Sequence, residues 1–238
     1  MELTKIVWKL VNYLRQGETP NYDYKLWLNE PLASWDVYDY WERCRAESMR
    51  SNLTQDDILF DIGAEQGWLS LVYATMAKMV LIEPTPEFWP NIRALWKKNR
   101  DDMPLATVKA LISNKNKDEI NYSIGDFVDY GDKLIDKNSY KYIHQGTEAE
   151  ITLDSLIEKL GITPTAITID TEGSELLVLQ GATKILEKGI KVWVSIHDDL
   201  AEKDYGVKPN EVIQFLENLG YKANYLGIDH EKHYFFQK

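Results

Sequence analysis

From Asp57 onward the chain alternates short apolar runs with segments of helical period, and few folds accommodate that alternation. The expected strands are 58–62, 79–83, 105–112, 166–170 and 190–197, with helices at 67–78, 86–100, 153–160, 175–187 and 209–219 between or after them. Strands joined through helices can lie parallel, because a parallel partner needs a crossover of a dozen or more residues. Pro86 suits a first helical turn and Gly161 a C-cap. Two last runs, 221–226 and 233–237, are separated only by 227–232, too short for a crossover. They must therefore be antiparallel. The reading is an α/β protein with a doubly wound sheet, mostly parallel, with one antiparallel strand.

The N-terminal block has a different texture. Trp8, Trp27, Trp35 and Trp41 all precede the first clear strand. Residues 32–49 read as a helix in which Trp35, Tyr38, Trp41, Arg45 and Ser48 are spaced to bring several rings onto one face. Leu3, Ile6, Val7, Leu10, Val11 and Leu14 make a helical stripe. It could pack on the body, contact a second copy in a homodimer, or lie on a membrane surface, although its polar face carries little excess positive charge. The expected division is an aromatic-rich helical cap at 1–52 and one domain at 53–238, with a β-rich excursion near 113–150.

Composition narrows the partners. Lys and Arg total 27 against 38 Asp and Glu, a formal charge of −11, which disfavours an extended phosphate-binding surface and hence nucleic acid. The single cysteine, Cys44, excludes an internal disulfide. No run approaches the 18 or so apolar residues of a membrane span, and a cytoplasmic location is expected.

The stretch Asp61-Ile62-Gly63-Ala64-Glu65-Gln66-Gly67 follows the first strand of the series and opens its first helix. In a doubly wound sheet, ligands lie across the carboxyl ends of the strands, where glycine allows close backbone approach. About twenty residues on, Glu83-Pro84 ends the second strand, where a carboxylate can accept both hydroxyls of a ribose. Ala110 and Leu111, in the run ending the third strand, offer small and apolar surface to an adenine. Asp61 would repel a pyrophosphate, so an adenosine ligand with a cationic amino-acid end, S-adenosylmethionine, fits better than a dinucleotide. Asp61, Gly63, Ala64, Gln66, Gly67, Glu83, Pro84, Ala110 and Leu111 are the expected cofactor residues, with Trp68 a further neighbour.

Four stretches carry a family resemblance: DIGAEQG, LIEPTPEFWPNIRALWKKN, ALISN and ITLDSLIEKLGITPTAITIDTEGSELLVLQGATKIL. The chain resembles the FkbM-type family of S-adenosylmethionine-dependent methyltransferases from about residue 57 to 197. The likeness omits the N-terminal block and is thin over 115–150. It implies a class I methyltransferase sheet of order 3-2-1-4-5-7-6 with the seventh strand reversed. It also implies O-methylation, often of sugars or other hydroxyl-bearing metabolites.

Methyl transfer to oxygen requires an aligned nucleophile and removal of its proton. Asp170 and Glu172 lie at the end of the fourth strand, and period-two spacing would point both the same way if the strand persists. His197 ends the fifth and has a suitable ordinary pKa for a general base. Asp170, Glu172 and His197 are thus the expected catalytic residues. Asp170 with Asp198 or Asp199 could also hold Mg2+. Trp27, Trp35, Tyr38 and Trp41 suit stacking on a sugar. The expected activity is O-methylation of a sugar, glycan or polysaccharide precursor. A non-sugar natural product or lipid is the alternative acceptor, and a noncatalytic scaffold the alternative class.

Overall fold

The computed structural model describes residues 43–129, 149–208, 210–228 and 231–238. The N-terminal stripe, the tryptophans before residue 42 and residues 130–148, half of the 113–150 excursion, lie outside them.

Eight strands form the main sheet. β1 (Ile58–Ile62) lies parallel between β2 (Lys78–Ile82) and β7 (Ala166–Ile169), and β3 (Ala106–Lys109) continues beyond β2. On the other side β7 is followed by the parallel β8 (Lys191–Ile196), then by β10 (Lys232–Gln237) and β9 (Lys222–Ile228). β10 runs antiparallel to both of its neighbours, as the short connection demands. The order β3-β2-β1-β7-β8-β10-β9 matches the class I arrangement. The sheet differs from it by one addition, β5 (Asn121–Ile124), which pairs antiparallel with β3 at the edge.

Two expected elements divide. The third strand ends at Lys109, and after the buried Ala110 the chain leaves the sheet as β4 (Leu111–Ile112), which pairs instead with β6 (Glu150–Ile151). The helix expected at 175–187 breaks into α5 (Glu175–Gln180) and α6 (Thr183–Glu187) at Gly181. A side chain there would stand 2.0 Å from the Ser113 carbonyl oxygen, so only glycine fits. The start of α6 is capped from a distance, since the Asp154 carboxylate accepts from the amides of Lys184 and Ile185 at 2.9 and 3.0 Å. Asp154 and Gly181, both in the stretch that carries the family resemblance, hold the helical layer together.

Both sheet faces are covered, and side-chain alternation decides what each receives. Phe60, Ile62, Val80, Ile82, Ile167, Ile169, Val192 and Val194 face α4 (Leu153–Leu160), α5, α6 and α7 (Glu211–Asn218). Leu59, Met79, Leu81, Ala166, Trp193 and Phe235 face α1 (Arg43–Asn52), α2 (Trp68–Tyr73) and α3 (Trp89–Asn99). Each large apolar side chain so enclosed contributes about 1.5–3 kcal/mol of burial. α1, the described part of the expected cap, packs on β9 and β10. Ser48 accepts from the indole of the fully buried Trp193, which stacks on Phe235 at 4.5 Å, and Gly227 leaves room for Cys44. Among the described residues no helix is long and apolar enough to cross a membrane.

Candidate active site at the strand ends

The same alternation lines up the polar residues. Asp61 shares the face of Leu59, Asp170 extends that of Ala166 and Thr168, and His197 that of Trp193 and Ser195. Because β10 is reversed, its beginning lies beside the end of β8, with His233 opposite Ser195 and Lys232 opposite Ile196. Glu231, His233 and Phe235 alternate along it. All these groups therefore emerge on the side covered by α1, at the carboxyl edge where ligands of such sheets bind.

At the β1–β2 end the contacts are local. Gly63, at φ +90°, passes so close to the end of β7 that a side chain there would meet the Asp170 carbonyl oxygen at 1.8 Å. The amides of Gly63 and Ala64 both donate to the Ile82 carbonyl, and Gly67, at φ +81°, turns the chain into α2 against Ile92. Gln66 is buried, and its carbonyl accepts from Asn91. Asp61 accepts a hydrogen bond from Ser70 at 2.5 Å. Glu83 accepts one backbone amide on each oxygen, from Thr85 at 2.8 Å and from Glu65 at 2.9 Å. Pro84 sits half-buried between these contacts, while Ala110 is buried and Leu111 half-buried beyond β3. Burial pushes the Asp61 carboxyl up to about 6 and that of Glu83 to about 7, against the hydrogen bonds each accepts.

At the β7–β8–β10 end the contacts cross the whole chain. Arg45, only 2% exposed, donates to Ser195 Oγ at 2.6 Å and to Asp170 Oδ2 at 3.0 Å. Burial works against its charge, but Tyr73, Asp170, Asp61 and Glu231 hold it protonated more firmly than usual. Ser195 Oγ, which accepts from Arg45, also lies 3.0 Å from His233 Nδ1, and the other ring nitrogen, Nε2, is 4.0 Å from Glu231 Oε1. Glu231 Oε2 lies 4.0 Å from His197 Nε2, and that nitrogen lies 3.6 Å from Asp170 Oδ1. The six side chains close a circuit.

His197 is pinned from behind by the fully buried Glu175, whose Oε1 meets Nδ1 at 2.9 Å and also accepts from the Gly173 amide. Burial alone would lower the imidazole pKa, but the Glu175 hydrogen bond and the charges of Asp170, Glu175 and Glu172 overcome it and raise it to about 10. His197 is thus an imidazolium at neutral pH in this state, a donor rather than the neutral base expected from its ordinary pKa.

Two further expectations need correction. Asp170 and Glu172 are not related by strand pleat, because β7 ends at Ile169 and Glu172 sits at φ +52°. Glu172 still reaches the site, with Oε2 at 3.8 Å from His197 Nε2, but from an exposed turn. Asp198 does not join Asp170 in a metal pair, since its carboxylate binds the Lys232 ammonium. The groups that converge on Asp170 are His197 and Glu231. Glu231, His233, Ser195 and Glu175 were not anticipated, although alternation through Trp193 and Phe235 would have placed the first three on the same face. Arg45 had been assigned to an aromatic helix face, and a charge on such a face was the available signal.

The fold agrees with what this chain is similar to. The methyltransferase FkbM domain matches residues 61–223. A hexuronic acid methyltransferase, AglP, of Haloferax volcanii is 29% identical over 153 residues, which cover 63% of this chain and 60% of that protein. The crystal structure of methyltransferase FkbM from Methylobacillus flagellatus KT superposes with a TM-score of 0.50 at 13% identity, over 99% of this chain and 60% of that one. At that identity the likeness is one of fold, and the chain spans about three-fifths of the length of each of these two relatives. With more than half of its residues matched, the chain belongs to the methyltransferase FkbM domain family.

Proposed function

We propose that the chain is an S-adenosylmethionine-dependent O-methyltransferase acting on a hydroxyl of a sugar, glycan or polysaccharide precursor. The observation that carries this reading is the convergence of Asp61, Asp170 and His197 on one side of the strand ends, with the Gly63 loop and the Glu83 carboxylate alongside. The Haloferax relative, a hexuronic acid methyltransferase, supports a sugar as acceptor.

The residues at the β1–β2 end fit the cofactor. Glu83 accepts from two backbone amides and from the Thr85 side chain, so of its roughly four lone-pair directions at least one stays open to a ribose hydroxyl, and a second opens if the ribose displaces the Thr85 hydroxyl. Asp61 supplies a carboxylate for a cationic amino group. Gly63, Ala64, Gln66 and Gly67 form the loop against the methionine portion, and Pro84, Ala110 and Leu111 would flank the base. The bound cofactor would supply an electrophilic methyl on a sulfonium sulfur.

The other end supplies the acceptor chemistry. Arg45 holds Asp170 Oδ2, which leaves Oδ1 to accept the proton of an acceptor hydroxyl. His197, as an imidazolium beside that oxygen, orients an acceptor oxygen through Nε2. Glu172, on the exposed turn, would contact the acceptor from the solvent side.

Incubation with methyl-labelled cofactor and a panel of neutral sugars, hexuronates, nucleotide sugars and lipid hydroxyls tests the proposal. The expected product is a sugar methyl ether that survives mild alkali, as read by mass spectrometry. An alkali-labile methyl ester would overturn the hydroxyl assignment, and failure to bind S-adenosylhomocysteine in calorimetry would overturn the cofactor.

A further inference from the structure

We propose that Asp170, His197 and Glu231 form a site for one divalent first-row cation with mixed nitrogen and oxygen ligation. The proposal rests on the acceptor half of the reading above and changes two roles in it: with the cation bound, His197 gives up its Nε2 proton to become a ligand, and Asp170 Oδ1 ligates the cation in place of serving as a free proton acceptor. Three separate segments supply the donors: the end of β7, the end of β8 and the residue before β10. One ligand atom from each lies within 4.8 Å of the other two. His197 Nε2 stands 3.6 Å from Asp170 Oδ1 and 4.0 Å from Glu231 Oε2. Ligands about 2.0–2.2 Å from a metal stand roughly 3.0–3.5 Å apart, so binding a cation requires the three segments to draw together, by about half an ångström or more at the His197–Glu231 edge.

The surroundings point the same way. Ligating imidazoles and carboxylates are oriented by partners on their other atoms. Two of the three have one within hydrogen-bond distance: Glu175 holds His197 Nδ1 and Arg45 holds Asp170 Oδ2, while His233 Nε2 lies 4.0 Å from Glu231 Oε1. For His197 and Asp170 the atoms on the site side, Nε2 and Oδ1, are not the ones these two partners hold. Glu172 Oε2, 3.8 Å from His197 Nε2, is placed to be a fourth ligand. One imidazole with two or three carboxylates suits Mn2+, Fe2+ or Zn2+ better than Mg2+, which favours all-oxygen surroundings. Remaining coordination positions would hold two adjacent oxygens of the acceptor, which makes a vicinal diol the favoured substrate class. Glu231 lies outside the matched residues 61–223, so the site is not a property of the matched domain alone.

The test is titration of the full chain with Mn2+ alone, following the free ion by electron paramagnetic resonance, with S-adenosylhomocysteine binding measured separately by calorimetry. The wild type should bind one equivalent of Mn2+. His197→Ala and Glu231→Gln should each weaken it at least tenfold, with S-adenosylhomocysteine affinity in Glu231→Gln within twofold of wild type. Asp198→Asn should leave Mn2+ affinity unchanged, because that carboxylate serves Lys232. A wild type that binds S-adenosylhomocysteine but shows no saturable Mn2+ site overturns the metal site and leaves the methyltransferase reading standing, with His197 as an imidazolium among carboxylates. Mn2+ binding unaffected by both Glu231→Gln and His197→Ala also overturns it. Mn2+ bound through these residues without S-adenosylhomocysteine binding supports the metal site and removes the cofactor reading instead.

Discussion

The two ends of the strand rim hold their carboxylates by opposite means. At the β1–β2 end, Asp61 and Glu83 are satisfied by neutral donors within 18 residues: a serine hydroxyl, two backbone amides and the Thr85 side chain. At the β7–β8–β10 end, Asp170 and its neighbours are held by charged or ring donors up to 150 residues away. The first arrangement leaves both carboxyl groups easier to protonate, whereas the second keeps Arg45 and His197 charged. A local turn can be specified by a short motif, while a long-range ionic circuit exists only after the fold is complete. A cofactor site built from a motif therefore travels readily between family members, and an acceptor site built from distant segments is where they can diverge.

Gly63 joins the two ends, and breaking it has the largest expected effect. Gly63→Ala would drive a methyl group into the Asp170 carbonyl oxygen while imposing an unfavourable φ. With the opposing group backbone rather than a movable side chain, we expect a loss of about 4 kcal/mol or more in urea denaturation. Next comes Arg45→Met, which keeps most of the volume but strips Asp170 and Ser195 of their shared donor. Removing one member of a buried charged pair costs about 3–5 kcal/mol, and the same denaturation series measures it. A loss under 1 kcal/mol would show that the ionic end is not held as described.

How far the site was legible follows the same division. DIGAEQG and Glu83 could be read because their partners lie in the next turn or the adjacent strand. Strand periodicity likewise placed Asp170 and His197 at the rim. It misdirected Glu172, since a left-handed residue breaks the pleat, and Asp198, since the chain curls toward Lys232 immediately after β8. Arg45, Glu231 and His233 could not be placed until the order of β8 and β10 and the seat of α1 were known. The residues alone showed the parallel alternation and the final antiparallel pair; the sheet order came with the family resemblance, which did not include β5, whose polar, half-exposed residues lack the apolar run of an inner strand.

Glu83 sharpens the comparison through pH. Its carboxyl is raised in the folded chain to about 7 from an ordinary 4.5, so the folded state retains a proton that the unfolded chain releases between those values. The contribution is therefore complete below pH 4.5 and is lost as pH rises through 7. The shift corresponds to a pH-dependent difference on the order of 3 kcal/mol between pH 4.5 and 8. Glu83→Gln, which cannot titrate, should flatten that slope in urea denaturation. It should also weaken S-adenosylhomocysteine by about tenfold or more, the equivalent of one lost charged hydrogen bond. An unchanged slope would show that the local donors at this carboxylate outweigh its burial.

The smallest effects come from a matched pair, one buried hydroxyl at each end. Ser70→Ala removes a single donor from Asp61, a carboxyl that burial already raises to about 6 and that can stay neutral in mildly acidic solution. The expected cost is about 1 kcal/mol, with the Asp61 titration moving further up. Ser195→Ala removes an acceptor from Arg45 and a partner from His233 at once, and the guanidinium has no neutral form to retreat to. Its cost should be larger, about 2 kcal/mol, when both are measured between pH 5 and 8. Measuring both variants across that range separates the two ends. Equal losses with the same pH dependence would mean that local and long-range donors hold their charges alike, and the proposed division of the rim would fail.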